Sequence, residues 1–459
     1  MMTWEGKRVV VLGLARQGIA LTRYFAKGGA EVVVSDLKPS EALSDAQEAL
    51  SDLPVEYVFG SHPPALLERA DLLCLSGGVP ADLPLALQAR EQGIKVTNDA
   101  QLFLEICPAL VIGITGSAGK STVTTLVGRM ALSHFEDSES RVWIGGNIGR
   151  PLLVDLSDIG AEDLVIMELS SFQLELMTAS PHVAGILNVT PNHLDRHLTM
   201  EAYTAAKCRI LDFQSGEDIA ILGREDPGAW ALQDQVKGRL ISFGWSAPES
   251  GDGTYIKDET ILLRLETEDV KLSPVSEVEL RGEHNLLNVL ASCAIAAAVD
   301  ISPESMVAGI QGFQGIEHRL EFVRRIDGVD WYNDSIATSP ERAIAAIRAF
   351  DEPLVLLAGG RDKDLPWGDF ATLVRQRIDH LILFGEAAEK IADVINSSPG
   401  PNKIQSFEIC DGLEAAVHQA RRVAEPGDVV LLAPGGTSFD EFKDFAERGE
   451  NFRSWVSAL

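Results

Sequence analysis

Cysteine is scarce: five in 459 residues, at positions 74, 107, 208, 293 and 410, with no C-x-x-C pair among them. An odd number at wide spacing excludes a disulfide framework or thiolate zinc site and fits a reducing compartment. Long apolar runs are missing too, and nothing approaches the roughly 18 residues that a membrane-spanning helix needs. Lys7-Arg8 before Val9–Leu12 imitates the start of a signal peptide. The run is too short, Gly13 and Arg16 interrupt it, and no cleavage site follows, so it reads as the first β-strand of a cytoplasmic protein. Positive charge is in short supply, with 39 Lys and Arg against 68 Asp and Glu and a net charge of −29. A field of that sign repels DNA, RNA and anionic lipid, so neither a nucleic-acid partner nor membrane insertion is expected. An anionic substrate would then need local basic groups or a metal ion. Internal repeats and low-complexity tracts are absent.

What is present is a regular alternation of short apolar runs with helical patterns. Candidate strands are Arg8–Gly13, Glu31–Asp36, Asp71–Ser76, Ala109–Thr115, Asp163–Leu169, Val183–Val189, Asp218–Leu222, Leu354–Gly359, His380–Phe384 and Asp428–Ala433. Many are Val/Ile/Leu-rich without polar alternation, as parallel strands covered on both faces should be. The fold class is therefore α/β. Length suggests roughly three domains, and breaks near residues 102 and 315 divide the chain into 1–102, 103–315 and 316–459. Ser246–Thr254 reads as an exposed turn, and Tyr255–Leu265 with Val270–Leu280 as an antiparallel hairpin added to the central segment.

The most specific string is Gly113-Ile114-Thr115-Gly116-Ser117-Ala118-Gly119-Lys120-Ser121-Thr122, between an apolar strand and an amphipathic helix. Such a loop turns backbone N–H groups toward one point at the positive end of a helix, where phosphate binds. Lys120 would reach the β- and γ-phosphates and Ser121 would offer its hydroxyl to Mg²⁺. The usual pattern has glycine at position 114; here isoleucine stands there, with glycines at 113 and 116, so the loop is a variant.

In the first segment Gly13-Leu14-Ala15-Arg16-Gln17-Gly18 approaches a dinucleotide fingerprint, with Ala15 at the middle glycine position and Asp36 ending the next strand, where an acid often accepts from a ribose hydroxyl. A NAD site is one reading and a nucleotide-sugar site the better one, because the missing glycine hinders close approach to a pyrophosphate. Ser76-Gly77-Gly78-Val79-Pro80 ends another strand and would add further N–H groups. In the central segment Asn147, Glu168 with Ser170, and His193 follow further strands. Ligands gather beyond the carboxyl ends of parallel strands, and Glu168 and His193 suit a hard cation. His193 and His197 share helical spacing, but the rest of a zinc signature is absent, so His197 reads as structural or substrate-facing.

Taken in order, Thr115–Thr122, Gly145-Gly146-Asn147, Glu168–Gln173, Asn192–His197, Tyr203–Lys207, Gly282–Asn288, His318–Glu321 and Asn333–Ser335 resemble the motifs of the Mur ligases. These are ATP-dependent enzymes that build the peptide of bacterial cell-wall precursors, and the resemblance covers essentially the whole chain. It implies a Rossmann-like UDP-sugar-binding domain, an ATP-binding central domain with a parallel sheet plus a small antiparallel one, and a Rossmann-like domain for the amino acid. The short first domain, Ser170–Glu175 and Pro434–Lys443 resemble the branch that joins D-glutamate to UDP-N-acetylmuramoyl-L-alanine through an acyl phosphate, in peptidoglycan precursor synthesis. The partners implied are that nucleotide sugar, glutamate and ATP, with two Mg²⁺ ions, and a monomer is expected.

The resemblance also implies residue roles. Gly116, Ser117, Ala118, Gly119, Lys120, Ser121 and Thr122 would cradle ATP and the first Mg²⁺. Glu168, His193 and a carbamylated Lys207 would serve the second, and Asn147 would contact substrate or phosphate. Asn285 and Asn288 would lie on the adenine side, with Arg319 and Asp334 also reaching ATP. Gly13, Arg16, Gln17, Asp36, Lys38, Ser76, Gly77, Gly78 and Ser170 would meet the UDP-sugar substrate. Thr338, Lys363, Ser438 and Phe445 would hold glutamate.

Three positions depart from the family pattern: Ala118 for the usual Asn, Ile336 for Lys, and Gly435-Gly436-Thr437 for Ala-Cys-Ala. The last two touch the glutamate pocket and leave addition of L-glutamate as an alternative. A folate polyglutamylating ligase lacks a counterpart of residues 1–102. A non-catalytic nucleotide-binding regulator would have lost at least one of Lys120, Glu168, His193 and Lys207.

Overall fold

The computed structural model describes residues 3–192, 194–363 and 365–459. They form two compact units, Met1–Phe313 and Gln314–Leu459. Among the described residues no helix is long and apolar enough to cross a membrane.

The first unit opens with β1 (Arg8–Leu12), β2 (Glu31–Asp36), β3 (Val55–Phe59), β4 (Leu72–Leu75) and β5 (Lys95–Thr97), in the order β3-β2-β1-β4-β5. Every pairing is parallel. The unbroken apolar run of β1 is explained by its two covered faces. Val9 and Val11 pack with Leu21 and Phe25 of α1 (Arg16–Lys27). Val10 and Leu12 pack on the opposite face with Leu85, Ala86 and Ala89 of α2 (Pro84–Glu91). The crossing of β1 and α1 leaves no room for side chains: a Cβ on Gly18 would lie 1.9 Å from the Gly13 carbonyl oxygen. Gly13 itself takes φ +86°.

The chain enters the second sheet through α3 (Asp99–Ile106), capped by Asn98, whose Oδ1 accepts from the Gln101 N–H at 2.8 Å. The Asn98 amide also donates to the Gln173 carbonyl at 2.7 Å, tying the two sheets of this unit together. Asp99 is buried beside this joint. Burial raises its pKa to about 6, against the pull of the Gln173 side chain and Arg16.

The second sheet contains β6 (Leu110–Thr115), β7 (Val142–Gly146), β8 (Leu164–Glu168), β9 (Val183–Ile186), β10 (Ile219–Gly223), β11 (Arg239–Phe243), β12 (Asp252–Lys257), β13 (Thr260–Leu265) and β14 (Glu268–Pro274). Their order is β14-β13-β12-β11-β10-β9-β6-β8-β7, parallel from β7 to β12 and antiparallel over the last two pairings. Here the structure corrects the sequence reading. Tyr255–Leu265 is not one strand: it bends at Asp258 and Glu259, both with positive φ (49° and 54°). That is the two-residue turn that matches strand twist, built without the glycine or asparagine that would have marked it. Asp252–Thr254, read as turn, already belongs to β12, and β14 ends at Pro274, so the addition is a three-stranded meander.

The second unit holds β15 (Glu321–Ile326), β16 (Val329–Asn333), β17 (Leu354–Gly359), β18 (His380–Phe384), β19 (Ser406–Cys410) and β20 (Val429–Gly435), ordered β15-β16-β20-β17-β18-β19. Only β15 pairs antiparallel. The cysteines are all free, with Cys74, Cys208 and Cys293 buried. Burial pushes the thiol of Cys208 up to about 11 and that of Cys293 up to about 12, and that of Cys74 higher still.

Three outcomes follow from the first unit. Gly18→Ala forces the β1–α1 crossing apart and should cost about 1–3 kcal/mol of stability in calorimetric unfolding. Gly78→Ala, with nothing within 4 Å of the added Cβ, should stay within about 0.5 kcal/mol of the parent. Asp99 holds its proton more tightly folded than unfolded, so its burial costs stability increasingly as pH rises from the ordinary aspartate range to about 6. Denaturant titrations across that window should show a downward slope with rising pH that Asp99→Asn flattens.

Candidate active site

In all three sheets the polar residues singled out from the sequence stand beyond the carboxyl ends of neighbouring parallel strands, where the first turns of helices also point their N–H groups. In the second sheet β6 lies between β8 and β9, and β7 flanks β8. The glycine loop follows β6 and leads into α4 (Lys120–His134), with Gly119 as N-cap at φ +84°. A side chain there would strike Asn288 Oδ1 at 2.3 Å, so Asn288, on α6 (Glu283–Ala297), lies against the loop. Asn288 in turn donates to Asn285 Oδ1 at 2.9 Å.

The loop's own polar groups are largely spoken for. The Ser117 N–H donates to the Asn188 carbonyl at 3.0 Å. Its hydroxyl donates to the Thr190 carbonyl at 2.8 Å, accepts from the Thr190 N–H at 2.9 Å and lies 2.9 Å from the Tyr203 hydroxyl. The Ala118 N–H donates to Asn188 Oδ1 at 2.8 Å, and the Asn188 amide donates to the Ala118 carbonyl at 3.1 Å. Ser117 and Ala118 therefore shape the loop, and the cradle is left to the amides from Gly119 onward. Ser121 and Thr122 sit in the first turn of α4. The Lys120 ammonium folds back onto the Gly116 carbonyl at 2.8 Å.

Lys207, on α5 (Met200–Asp212), donates to the same Gly116 carbonyl at 2.9 Å and to the Thr115 hydroxyl at 3.3 Å. It is 1% exposed and lies over the Tyr203 ring. Burial, and then the charge of Lys120, hold its pKa well below the usual lysine value. Glu168, 2% exposed at the end of β8, accepts from the Asn147 amide at 2.8 Å through Oε1. Its Oε2 has no hydrogen-bond partner among the described residues. A buried carboxylate oxygen with no donor is what a hard cation would complete. His193 lies outside the described residues. His197 is buried between the Ser171 hydroxyl at 2.9 Å and the Glu175 carboxylate at 3.0 Å and stacks on Phe172, which makes it structural. Ser170 caps a short helix through a reciprocal pair with Gln173.

In the first sheet, Gly13, Asp36 and Ser76 follow β1, β2 and β4, which are adjacent. The Asp36 carboxylate accepts from the Leu14 N–H at 2.7 Å and the Lys38 N–H at 2.9 Å, so it first of all shapes its own turn. Gln17 accepts from the Gly77 N–H at 2.9 Å. The Ser76 and Val79 N–H groups are bonded to Leu12 and Ser76 carbonyls, so with the Gly77 N–H on Gln17 this second loop offers fewer amides than its length suggests. Arg16 reaches across to the Asn147 carbonyl at 3.2 Å, which joins the first sheet's loops to those of the second.

In the second unit β20 lies between β16 and β17. Asp334 follows β16 and accepts from the Leu320 N–H at 3.0 Å. Burial raises its pKa to about 7, partly offset by Arg319 and Arg342. Lys363 follows β17 and also feels Arg342. Ser438, buried, follows β20, and Arg361 bridges to Thr437 beside it. Thr338 is bonded through its N–H to the Ile336 carbonyl at 2.8 Å. Phe445 opens α7 (Phe445–Ala458), fixed by the Ser335 hydroxyl on its carbonyl at 2.7 Å and by buried Arg448 on Ser335 and Gly436. Glu317, His318 and Glu450 cluster closely enough for a metal ion, but Arg453 already pairs with both carboxylates.

Three contributors were given no role of their own in the sequence reading. Tyr203 stands one helical turn before Lys207 and so shares its face, a signal that was available. Asn188 follows β9, and Arg342 lies on the helix after Thr338; neither carries a motif of its own.

Comparison with known proteins adds to this geometry. Residues 7–98 match the Mur ligase MurD-like N-terminal domain, 114–296 the Mur ligase middle domain, and 318–436 the Mur ligase glutamate ligase domain. The UDP-N-acetylmuramoylalanine–D-glutamate ligase of Symbiobacterium thermophilum is 38% identical over 454 residues, which covers 99% of this chain and 98% of that protein. The enzyme of the same name from Caldanaerobacter subterraneus is 36% identical over 459 residues and 100% of both. Among solved structures, the UDP-N-acetylmuramate–alanine ligase MurC of Thermotoga maritima aligns with a TM-score of 0.55 at 18% identity, over 98% of this chain and 99% of that one. The MurF ligase of the same organism, in complex with ADP, aligns at 0.53 and 19% identity, over 93% and 95%. The structures share the fold, and the full-length sequence relatives fix the family: the chain belongs to the Mur ligases.

Proposed function

We propose that the chain joins D-glutamate to UDP-N-acetylmuramoyl-L-alanine at the expense of ATP. The observation that carries this reading is the convergence, at one sheet edge, of the glycine loop, the unpartnered Glu168 oxygen and the buried Lys207. The names of the full-length relatives supply the substrates.

A carboxylate does not form an amide unaided, because oxide is a poor leaving group. Transfer of the γ-phosphoryl group to the substrate carboxylate gives an acyl phosphate. The glutamate amine then adds to its carbonyl, and phosphate leaves with the C–O bond electrons. Catalysis of this kind is mostly positioning and charge stabilisation. The amides at the start of α4 and the Lys120 ammonium would hold the phosphates, with Thr122 beside them and Asn285 and Asn288 next to the loop. Arg319 and Asp334 are assigned to the nucleotide as well. Arg16, Gln17, Lys38 and Asn147 would orient the UDP-sugar. Thr338, Lys363, Ser438, Phe445 and the neighbouring Arg342 would receive glutamate, whose two carboxylates suit that cationic corner.

The donor atoms suit Mg²⁺: the Ser121 hydroxyl would serve the first ion, and Glu168 Oε2 with His193 the second. Bound there, Mg²⁺ would neutralise phosphate charge and orient the transferred group. Lys207 cannot ligate a cation as an ammonium. Its depressed pKa favours the free amine, which can bond to carbon dioxide with loss of one proton and become an anionic carbamate, a form that the neighbouring Lys120 charge would favour.

Phosphate release from ATP should require UDP-N-acetylmuramoyl-L-alanine together with D-glutamate, and L-glutamate should give no more than the background without amino acid. Release with L-glutamate alone would assign the chain to the alternative specificity, and release with neither would remove the ligase reading. Depletion of carbon dioxide should lower the rate at least several-fold, and bicarbonate should restore it. Isotope-labelled bicarbonate should give a carbamate resonance that Lys207→Arg abolishes; a wild-type spectrum without it would remove the carbamate.

A further inference from the structure

Residue 118 of the phosphate loop is alanine, with no polar side chain to steady the turn. The steadying group comes instead from the segment after β9. Asn188 meets both main-chain groups of Ala118 at once, accepting from its N–H at 2.8 Å and donating to its carbonyl at 3.1 Å. The Asn188 carbonyl also takes the Ser117 N–H at 3.0 Å. Asn188 therefore pairs with the loop as a neighbouring strand would, with its side chain supplying half of the pairing.

We propose that Asn188 is a positioning residue for the nucleotide, an inference that rests on the ligase reading given above. By fixing the Ser117 and Ala118 groups it turns the loop so that the amides from Gly119 onward face the phosphates. Orientation of this kind matters because a loop free to rotate loses part of its binding energy to ordering. The role is chemically specific. A carboxamide donates and accepts together, a carboxylate only accepts, and a leucine of similar size does neither.

The test compares wild type, Asn188→Leu and Asn188→Asp, each checked by thermal unfolding, in two assays. The first is calorimetric binding of ADP with Mg²⁺; the second is the KM for ATP, set against kcat and against the KM for the UDP-sugar. Loss of two hydrogen bonds should weaken nucleotide binding at least about tenfold in the leucine variant. The aspartate variant should lose more, because its charge opposes both the Ala118 carbonyl and the phosphates. The KM for ATP should rise in step, with kcat at saturating ATP and the KM for the UDP-sugar within about threefold of wild type. A general loss of structure would instead lower kcat without raising the KM for ATP. Nucleotide binding within twofold of wild type in a folded variant overturns the proposal. If the leucine variant does not fold, the aspartate variant, equal in size and polar, decides on the same criterion. Failure of the ligase reading is distinguishable, since wild-type protein would then show no amino-acid-dependent turnover while the binding comparison still stood.

Discussion

One carbonyl oxygen, that of Gly116, receives the ammonium groups of both Lys120 and Lys207, at 2.8 and 2.9 Å. Two cations on one neutral acceptor repel each other, and the pKa of the buried member is lowered first by its burial and then by this repulsion. The arrangement is tolerable only where an anion is to arrive or where one amine gives up its charge. Much of the surrounding architecture can be understood from this point. The glycine loop must present that carbonyl inward while its later amides face outward, and the strap of Asn188, Ser117 and Thr190 holds it in that attitude. The buried Tyr203 ring lies against the buried lysine, and Glu168 brings a negative group to the adjacent strand end.

The elements that position these groups obey a simple rule. Parallel strands covered on both faces leave only their ends for chemistry, and the same edge of each sheet carries the polar residues. That rule made most of the fold legible from the sequence. The runs at Val9–Leu12 and Leu354–Ala358 are apolar throughout because alternate residues enter two cores. The loops that follow them stand out as glycine and polar punctuation. Short or half-exposed strands were harder to see. Lys95–Thr97 has three residues, and Ser406–Cys410 is an edge strand of mixed polarity. The Asp258-Glu259 turn adopts a conformation that its residue types do not advertise.

The candidate site was legible where a residue brings its own chemistry and obscure where it works through another. Lys120, Glu168 and Lys207 could be picked out because a cation or carboxylate at a strand end or behind a glycine loop has an evident use. Asn188 could not, because its value lies in two distances to a backbone more than sixty residues away. Asp36 and Gln17 show the reverse. Both were singled out for ligands, yet their side-chain oxygens are already bonded to nearby main-chain N–H groups, so their first task is to hold open the shape of a loop.

The thiols have a pharmacological corollary. Electrophilic drugs seek an accessible, low-pKa sulfur, and three of the five cysteines here are sealed in cores with their thiols pushed far from ionisation. The other two, Cys107 and Cys410, are also shifted away from the thiolate. Warheads that succeed by capturing cysteine would find little purchase on this chain.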